Sequence, residues 1–392
     1  MKRFAACCLL LCLLSALCVG CTAPEDPTEP ITAPEPTVQT VELTDILTPA
    51  PTAAPTETPT PVPTDTPEPT PTPTPTPVPT PTPINYLADE GIYTIAWMSD
   101  TQHYSKKFPD VYYTMTEFLR DHREELNLQY IIHTGDLIHN IELEEQWKVA
   151  DLAQSYIDDI PNGVLAGNHD CADEYWYTPF KKYFGSWRYE NKPWYGGCFE
   201  ENRGHFDLIT AGETDYLFVY MGYCPSDRAI KWVQTVFETY PERVGVLCLH
   251  DYYTNTPGQR STDGWKWYNQ IVSRMPNLYM VCCGHRYGAY CFPESFDDDG
   301  DGVKERTVYQ MLFNYQATKH DGGGGYLRLI QIDDAAGTMH VLTYSPVTDD
   351  FDRFDDPDMR ETYYEFDESH EDFTLPLPWR ITEQETEEEK GD

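Results

Sequence analysis

The sequence predicts an α/β protein whose chemistry sits at the ends of buried strands. Three observations predict it. Five short, mostly apolar runs each end in a small polar cluster. Two segments with helical spacing of apolar residues alternate with the first three runs. The clusters hold Asp, Gln, Asn and His, and ligands of α/β sheets gather at the carboxyl ends of strands. That mixture of oxygen and imidazole donors points to metal chemistry.

In chain order, residues 93–98 lead into Ser99-Asp100-Thr101-Gln102-His103, and residues 130–133 lead into Gly135-Asp136. Residues 163–166 lead into Gly167-Asn168-His169-Asp170, residues 244–249 into His250-Asp251, and residues 278–283 into Gly284-His285. Between the first two runs, residues 111–126 read as a helix with Tyr112, Met115, Phe118 and Leu119 on one face. Residues 142–157 read as a second helix. Leu143, Trp147, Ala150 and Ile157 share a face, widened by Val149, Leu152, Ala153 and Tyr156. Residues 171–204 are aromatic without clear period and read either as a rim over the site or as cover for the core. Residues 207–223 read as a hairpin around Gly212, and residues 227–240 as a third helix. Residues 307–314, 326–332 and 338–344 are strand-like. Gly322 to Gly325 read as a turn near the site, without the Lys of a phosphate-binding loop.

The five clusters, in this order, resemble the motifs of the calcineurin-like metallophosphoesterase family. The resemblance covers roughly residues 90–350. It implies a four-layer α/β/β/α sandwich with mixed central sheets and a centre of two divalent ions drawn from Mn, Fe, Zn or Mg. Asp136 would bridge the ions, since a carboxylate offers two oxygens and a charge. Asn168, His250 and His285 would complete the second ion's site. Asp100 belongs to the first ion's site, where the family has two further histidines. This sequence has Gln102 and Tyr287 at those positions. Three arrangements follow: a harder ion on Asp100, Gln102, Asp136 and waters, which is the one expected; recruitment of His103; or a single ion. The resemblance also implies that His169 is the acid that protonates the leaving oxygen, steadied by Asp170, with a hydroxide on the ions as nucleophile. The substrate would be a phosphomono- or phosphodiester. The alternative is a surface lipoprotein that keeps the fold for binding, with turnover impaired by the Gln102 and Tyr287 departures.

The chain has 27 Lys and Arg against 65 Asp and Glu, a formal net charge of −38, which argues against a stable nucleic-acid partner. Lys2 and Arg3 precede an apolar stretch, residues 4–19, too short for a membrane span and followed by small residues. Leu17-Cys18-Val19-Gly20-Cys21 resembles a bacterial lipobox, with Cys21 as the lipidated residue; cleavage as a plain secretory signal is the other reading. Residues 22–84 are Pro- and Thr-rich and read as an extended spacer. The expected division is therefore a signal segment at 1–21, a linker at 22–84, the enzyme domain at 85–348 and an acidic tail at 349–392. The body would stand outside the cell membrane, tethered or secreted.

Several residues have competing readings. Asp297, Asp299 and Asp301 match the first half of a calcium loop, but Val308 stands where its last carboxylate belongs; an acidic hairpin turn is the favoured reading. A calcium-dependent adhesive surface is the corresponding third function. Seven cysteines lie beyond the signal segment. Cys248, Cys282 and Cys283 read as buried hydrophobes, and Cys171 with Cys198 as a candidate disulfide. His133, His205 and His320 read as structural, Arg286 as either a phosphate ligand or a surface residue, and Asn314 and Gln316 as residues that could line the site.

Overall fold

The computed structural model describes residues 87–172, 176–316, 324–351 and 368–380. The expected signal segment, lipobox and linker, His320, Gly322, Gly323 and the last acidic residues lie outside them. Two mixed sheets form the centre. The first half of the fold runs β1 (Ile92–Met98), α1 (Gln102–Lys107), α2 (Pro109–Asp121), β2 (Leu128–His133), α3 (Glu144–Ser155), β3 (Asn162–Val164), α4 (Thr178–Phe184) and α5 (Ser186–Tyr189). It continues with β4 (Tyr195–Phe199), β5 (Gly204–Ala211), β6 (Thr214–Met221), α6 (Asp227–Thr239), β7 (Val244–Leu249), α7 (Thr262–Trp267) and β8 (Leu278–Cys283). β9 (Gly288–Phe296), β10 (Arg306–Asn314), β11 (Leu327–Asp333), β12 (Thr338–Tyr344) and β13 (Asp372–Pro376) complete it. The strand orders are β13-β12-β11-β1-β2-β3 and β4-β5-β6-β7-β8-β10-β9.

Strand alternation builds the layers. In β1, Ile95 and Trp97 face the second sheet's Phe218, Tyr220, Val246 and Cys248 in a shared core. Ala96 and Met98 point the other way, onto Tyr112, Met115, Leu119, Trp147 and Ala150 of α2 and α3. On the second sheet, Leu217, Val219, Leu247 and Leu249 pack outward against Val233 and Phe237 of α6 and Trp267 of α7. The result is the expected α/β/β/α order. β1, β2 and β3 are parallel, as are β6, β7 and β8. Their carboxyl ends therefore share one edge of each sheet.

The expected strands, the hairpin at Gly212 and the third helix all form. Several expectations need correction. Gln102 is not on a loop but opens α1. In α3, Leu143 and Leu152 are exposed, because a helix packed on one sheet buries only the stripe carrying Trp147, Ala150 and Ala153. Of the two readings for residues 171–204, the described residues favour core cover: Phe180, Phe184 and Tyr189 are buried against α3 and its neighbours. The body does not end at 348. β13 pairs antiparallel with β12 from Thr338↔Pro376 to Leu342↔Asp372, and Leu377 is buried in the inter-sheet core. Net charge hid an alternation in which Phe373 and Leu375 turn inward while Asp372, Thr374 and Pro376 stay exposed. Such an edge strand tolerates a terminal proline. Cys171 is buried and Cys198 exposed, and they are not bridged. Cys248, Cys282 and Cys283 are buried as expected.

One polar island lies between the sheets. The Tyr130 hydroxyl donates to Asp207 at 2.5 Å, and the His205 ring stacks on Tyr220 at 4.4 Å, so His205 is structural as read. Burial raises the Asp207 pKa well above the carboxylate range, with the Tyr130 bond only partly opposing it. A raised folded-state pKa gives stability that is present below about pH 4 and is lost as pH rises through the folded value. Asp207→Asn stays neutral throughout. Its stability relative to wild type should rise between pH 5 and pH 8, by up to about 1.4 kcal/mol per unit while Asp207 holds its proton. Urea unfolding at several pH values measures this; a pH-independent difference would show that Asp207 is not held neutral.

Candidate metal centre

Six loops at the strand ends meet over the seam between the sheets. Backbone bonds tie them in pairs: Asp100 N–H to the Gly135 carbonyl at 2.9 Å, Gly284 N–H to the His250 carbonyl at 3.1 Å, and Tyr223 N–H to the Ala166 carbonyl at 2.9 Å. Asp100, Asp136 and His285 all adopt left-handed backbone, with φ of 53°, 57° and 68°. Such conformations cost about 1–2 kcal/mol each for non-glycine residues and turn the side chain sharply off the strand. Glycines supply the clearance. A Cβ on Gly167 would sit 2.1 Å from Asp136 Oδ1, and one on Gly284 would sit 2.2 Å from Asp100 Oδ2.

Asp136 is the hub. Its Oδ1 accepts the His169 backbone N–H at 2.9 Å and lies 3.3 Å from His250 Nε2; its Oδ2 accepts Gln102 Nε2 at 3.0 Å. Asp136, His250 and His285 present ligand atoms all within 4.8 Å of one another. Asn168 Oδ1 joins them, 3.1 Å from His250 Nε2. The Thr134 carbonyl can only accept, so the 2.8 Å contact fixes the proton of His250 on Nδ1 and turns Nε2 to the centre. Asp100 accepts the His285 backbone N–H at 3.1 Å on both oxygens.

The electrostatics ask for a cation. Burial pushes Asp136 up, but the facing His250 and its hydrogen bond outweigh that and hold it at about 2. Burial lowers His250, yet the charges of Asp136 and Asp100 raise it to about 10. Burial, with Asp136 nearby, raises Asp100 to about 7 against the opposing pull of His250. Burial, with His250 and Arg286 adding to it, takes His285 down to about 3, so it is a neutral imidazole. The His250 proton occupies the position a divalent ion would fill. Gln102 fits the same reading: its buried Oε1 has no hydrogen-bond partner among the described residues. An orphaned amide oxygen beside a carboxylate is a ready ligand for a hard ion.

The structure thus brings together Asp100, Gln102, Asp136, Asn168, His250 and His285. His103 stands with its ring 5.8 Å from that of His139, which in turn stacks on His169. The pairing of His169 with Asp170 is also corrected. Asp170 is buried and accepts the backbone N–H groups of Leu137, Ile138 and Gly167 at 2.8–3.1 Å, which clamps the loop carrying Asp136 to the loop carrying Asn168. The tautomer of His169 is set instead by Nδ1 donating to the His139 carbonyl at 2.7 Å. That leaves Nε2 as the nitrogen that can take up and release a proton, so an acid role would belong to the imidazolium form.

His139 and Tyr223 were not anticipated. His139 stacks on His169 with centroids 4.9 Å apart, and burial lowers its pKa to about 4. The Tyr223 ring lies 5.9 Å from His285 and 6.1 Å from His250. Both follow apolar runs that end at the same edge, which was the available signal. His133 is structural as expected: its ring accepts Gly135 N–H at 3.1 Å and meets Thr101 Oγ1 at 3.1 Å. Asn314 turns inward on itself, its Oδ1 accepting Gln316 N–H at 3.1 Å. Asp297, Asp299, Asp301 and Glu305 cluster in the β9–β10 turn. There their oxygens accept the N–H groups of Gly300, Gly302, Asp301, Val303 and Asp298, as the hairpin reading requires.

Residues 93–311 match the family described as calcineurin-like phosphoesterase. A protein of Bacillus subtilis strain 168, described as uncharacterized protein YvnB, is 42% identical over 298 residues, which is 75% of this chain and 22% of that protein. The chain therefore spans less than a quarter of that relative's length. Among solved structures, a purple acid phosphatase from yellow lupin seeds aligns with a TM-score of 0.48 at 10% identity, covering 75% of this chain and 55% of that one. A dimetal phosphatase from Danio rerio aligns at 0.46 and 10% identity, covering 74% and 100%. The chain belongs to the calcineurin-like phosphoesterase family.

The corrected role of Asp170 makes a prediction. Asp170→Asn turns an amide toward three backbone donors and should lower stability by about 2–4 kcal/mol. His169→Asn touches no such network and should change it by less than about 0.5 kcal/mol. Equal effects of the two substitutions in urea unfolding would return Asp170 to the role of partner to His169.

Proposed function

We propose that this chain is an exported, membrane-tethered phosphoesterase that hydrolyses phosphomono- or phosphodiesters on two divalent ions. The observation that carries the reading is the convergence of Asp100, Gln102, Asp136, Asn168, His250 and His285 beside an imidazole, His169, whose tautomer is fixed by a backbone carbonyl. Ions bound there supply Lewis-acid charge and a nucleophile at neutral pH. The protein's own groups do the rest. Asp136, with two oxygens, would offer one to each ion. His250 and His285 offer neutral nitrogens once an ion replaces the His250 proton. His169 Nε2 presents a proton toward the leaving oxygen, and His139 shields its other face from water. Arg286, half-buried next to His285 with an unpartnered Nε, is a donor available to a phosphoryl oxygen.

Export and tethering rest on the basic start, the short apolar run and Cys21, and the Pro- and Thr-rich linker supports display away from the membrane. Among the described residues no helix is long and apolar enough to cross a membrane.

Hydrolysis of p-nitrophenyl phosphate and bis-p-nitrophenyl phosphate by the purified chain, with Mn²⁺, Fe²⁺, Zn²⁺ or Mg²⁺, tests the reading. Activity should require added metal and fall at least about a hundred-fold in Asp136→Ala and His169→Ala. The ester preferred then narrows the substrate. A folded protein inactive with every ion would favour a binding role for the centre. For the tether, Cys21→Ser should move the protein from the membrane fraction to the medium; unchanged membrane retention would rule out the lipid anchor.

A further inference from the structure

We infer that Thr134, which is not itself a ligand, positions one metal ligand on each side of the centre and controls the first ion through its hydroxyl. The inference rests on the two-ion reading above. It concerns a chain of hydrogen bonds that starts in the inter-sheet core. Trp97 Nε1 donates to Thr134 Oγ1 at 3.0 Å, Thr134 Oγ1 donates to Ser99 Oγ at 2.6 Å, and Ser99 Oγ donates to Asp100 Oδ2. All four residues are buried. An ionised Asp100, as an ion's ligand would be, can only accept, and a hydroxyl has one hydrogen, so Ser99 must accept from Thr134 and every hydrogen points toward Asp100. The charged carboxylate is its natural end, and aligned bonds of this kind reinforce one another in a dry setting.

The two functions of Thr134 are separable by chemistry. Its side chain acts on Asp100. Its main-chain carbonyl acts on His250, holding Nδ1–H at 2.8 Å. Substituting the side chain removes the first action and leaves the second. The first site should be the sensitive one. Gln102 is an uncharged ligand, and Tyr287 stands where the resemblance calls for an imidazole. Asp100 then supplies a large share of that ion's binding, and its orientation depends on the chain from Trp97. The Ser99 hydroxyl occupies space that only a glycine at 284 leaves open: a Cβ there would lie 2.1 Å from Ser99 Oγ.

Thr134→Val keeps the shape and deletes the hydroxyl. Thr134→Ser keeps the hydroxyl. Mn²⁺ titration of the full chain, followed by calorimetry and by the electron paramagnetic resonance of the bound ions, reads the two sites separately from activity. Wild type should bind two ions with a spin-coupled spectrum. Thr134→Val should weaken one site about ten- to a hundred-fold and give the six-line spectrum of an isolated ion, while the other site keeps its affinity. Thr134→Ser should restore both. Two unchanged affinities in Thr134→Val would overturn the inference and leave the two-ion reading standing. Loss of both sites, not rescued by Thr134→Ser, would also overturn it, because a general structural role would then explain the effect. A single ion in wild type would sink the two-ion reading and this inference together.

Discussion

A charged carboxylate is costly to bury unless its oxygens are matched, and Asp136 is both buried and held ionised. Much of the site edge follows from that requirement. The loop after β3 brings a backbone N–H to one oxygen. The start of α1 brings an amide to the other. β7 brings an imidazole whose proton is retained by the surplus of negative charge. Left-handed turns at Asp100, Asp136 and His285 are the local cost of aiming three strand ends at one point. Gly167 and Gly284 are the positions where any side chain would displace the carboxylates.

The centre is arranged asymmetrically around this hub. On one flank, Asn168 and His285 offer neutral donors, and His250, its Nδ1–H held by the Thr134 carbonyl, joins them once an ion displaces its other proton. On the other, Asp100 and Gln102 offer hard oxygens, one of them ordered by hydroxyls that trace back to a tryptophan. His169 stands apart from both. Its backbone serves Asp136, while its ring is braced by the His139 carbonyl and covered by the His139 ring. The proposed acid and ligand functions would thus fall on adjacent residues of one loop, which Asp170 fixes by filling its oxygens with backbone donors.

Much of this was legible in the sequence because two periodicities coincide with the chemistry. Each ligand ends an apolar run, so the strand pattern and the motif order point to the same residues. What the sequence concealed was partner choice. Nothing in the adjacency of His169 and Asp170 reveals that their side chains diverge. Neighbouring residues in a tight loop face different surroundings, and Asp170 is drawn to the N–H groups of Leu137 and Ile138, more than thirty residues earlier. β13 was hidden for a different reason. Its segment is dominated in composition by acidic neighbours, and only the alternation of Phe373 and Leu375 identifies it as a strand. The aromatic stretch after Cys171 lacked any period because two short helices and a turn divide its packing among several directions.

The ligands are divided between the two sheets. Asp100, Asp136 and Asn168 follow strands of the first, and His250 and His285 follow strands of the second. Neither sheet alone could hold an ion with this donor set. Ion capture is therefore linked to the closing of the sandwich, and metal supply becomes a component of the protein's stability. An ion at a hundred times its dissociation constant would add about 2.7 kcal/mol to that stability. A chain deprived of ions would lose it at the seam first, at the edge where the two layers are joined by their shared load rather than by strand pairing.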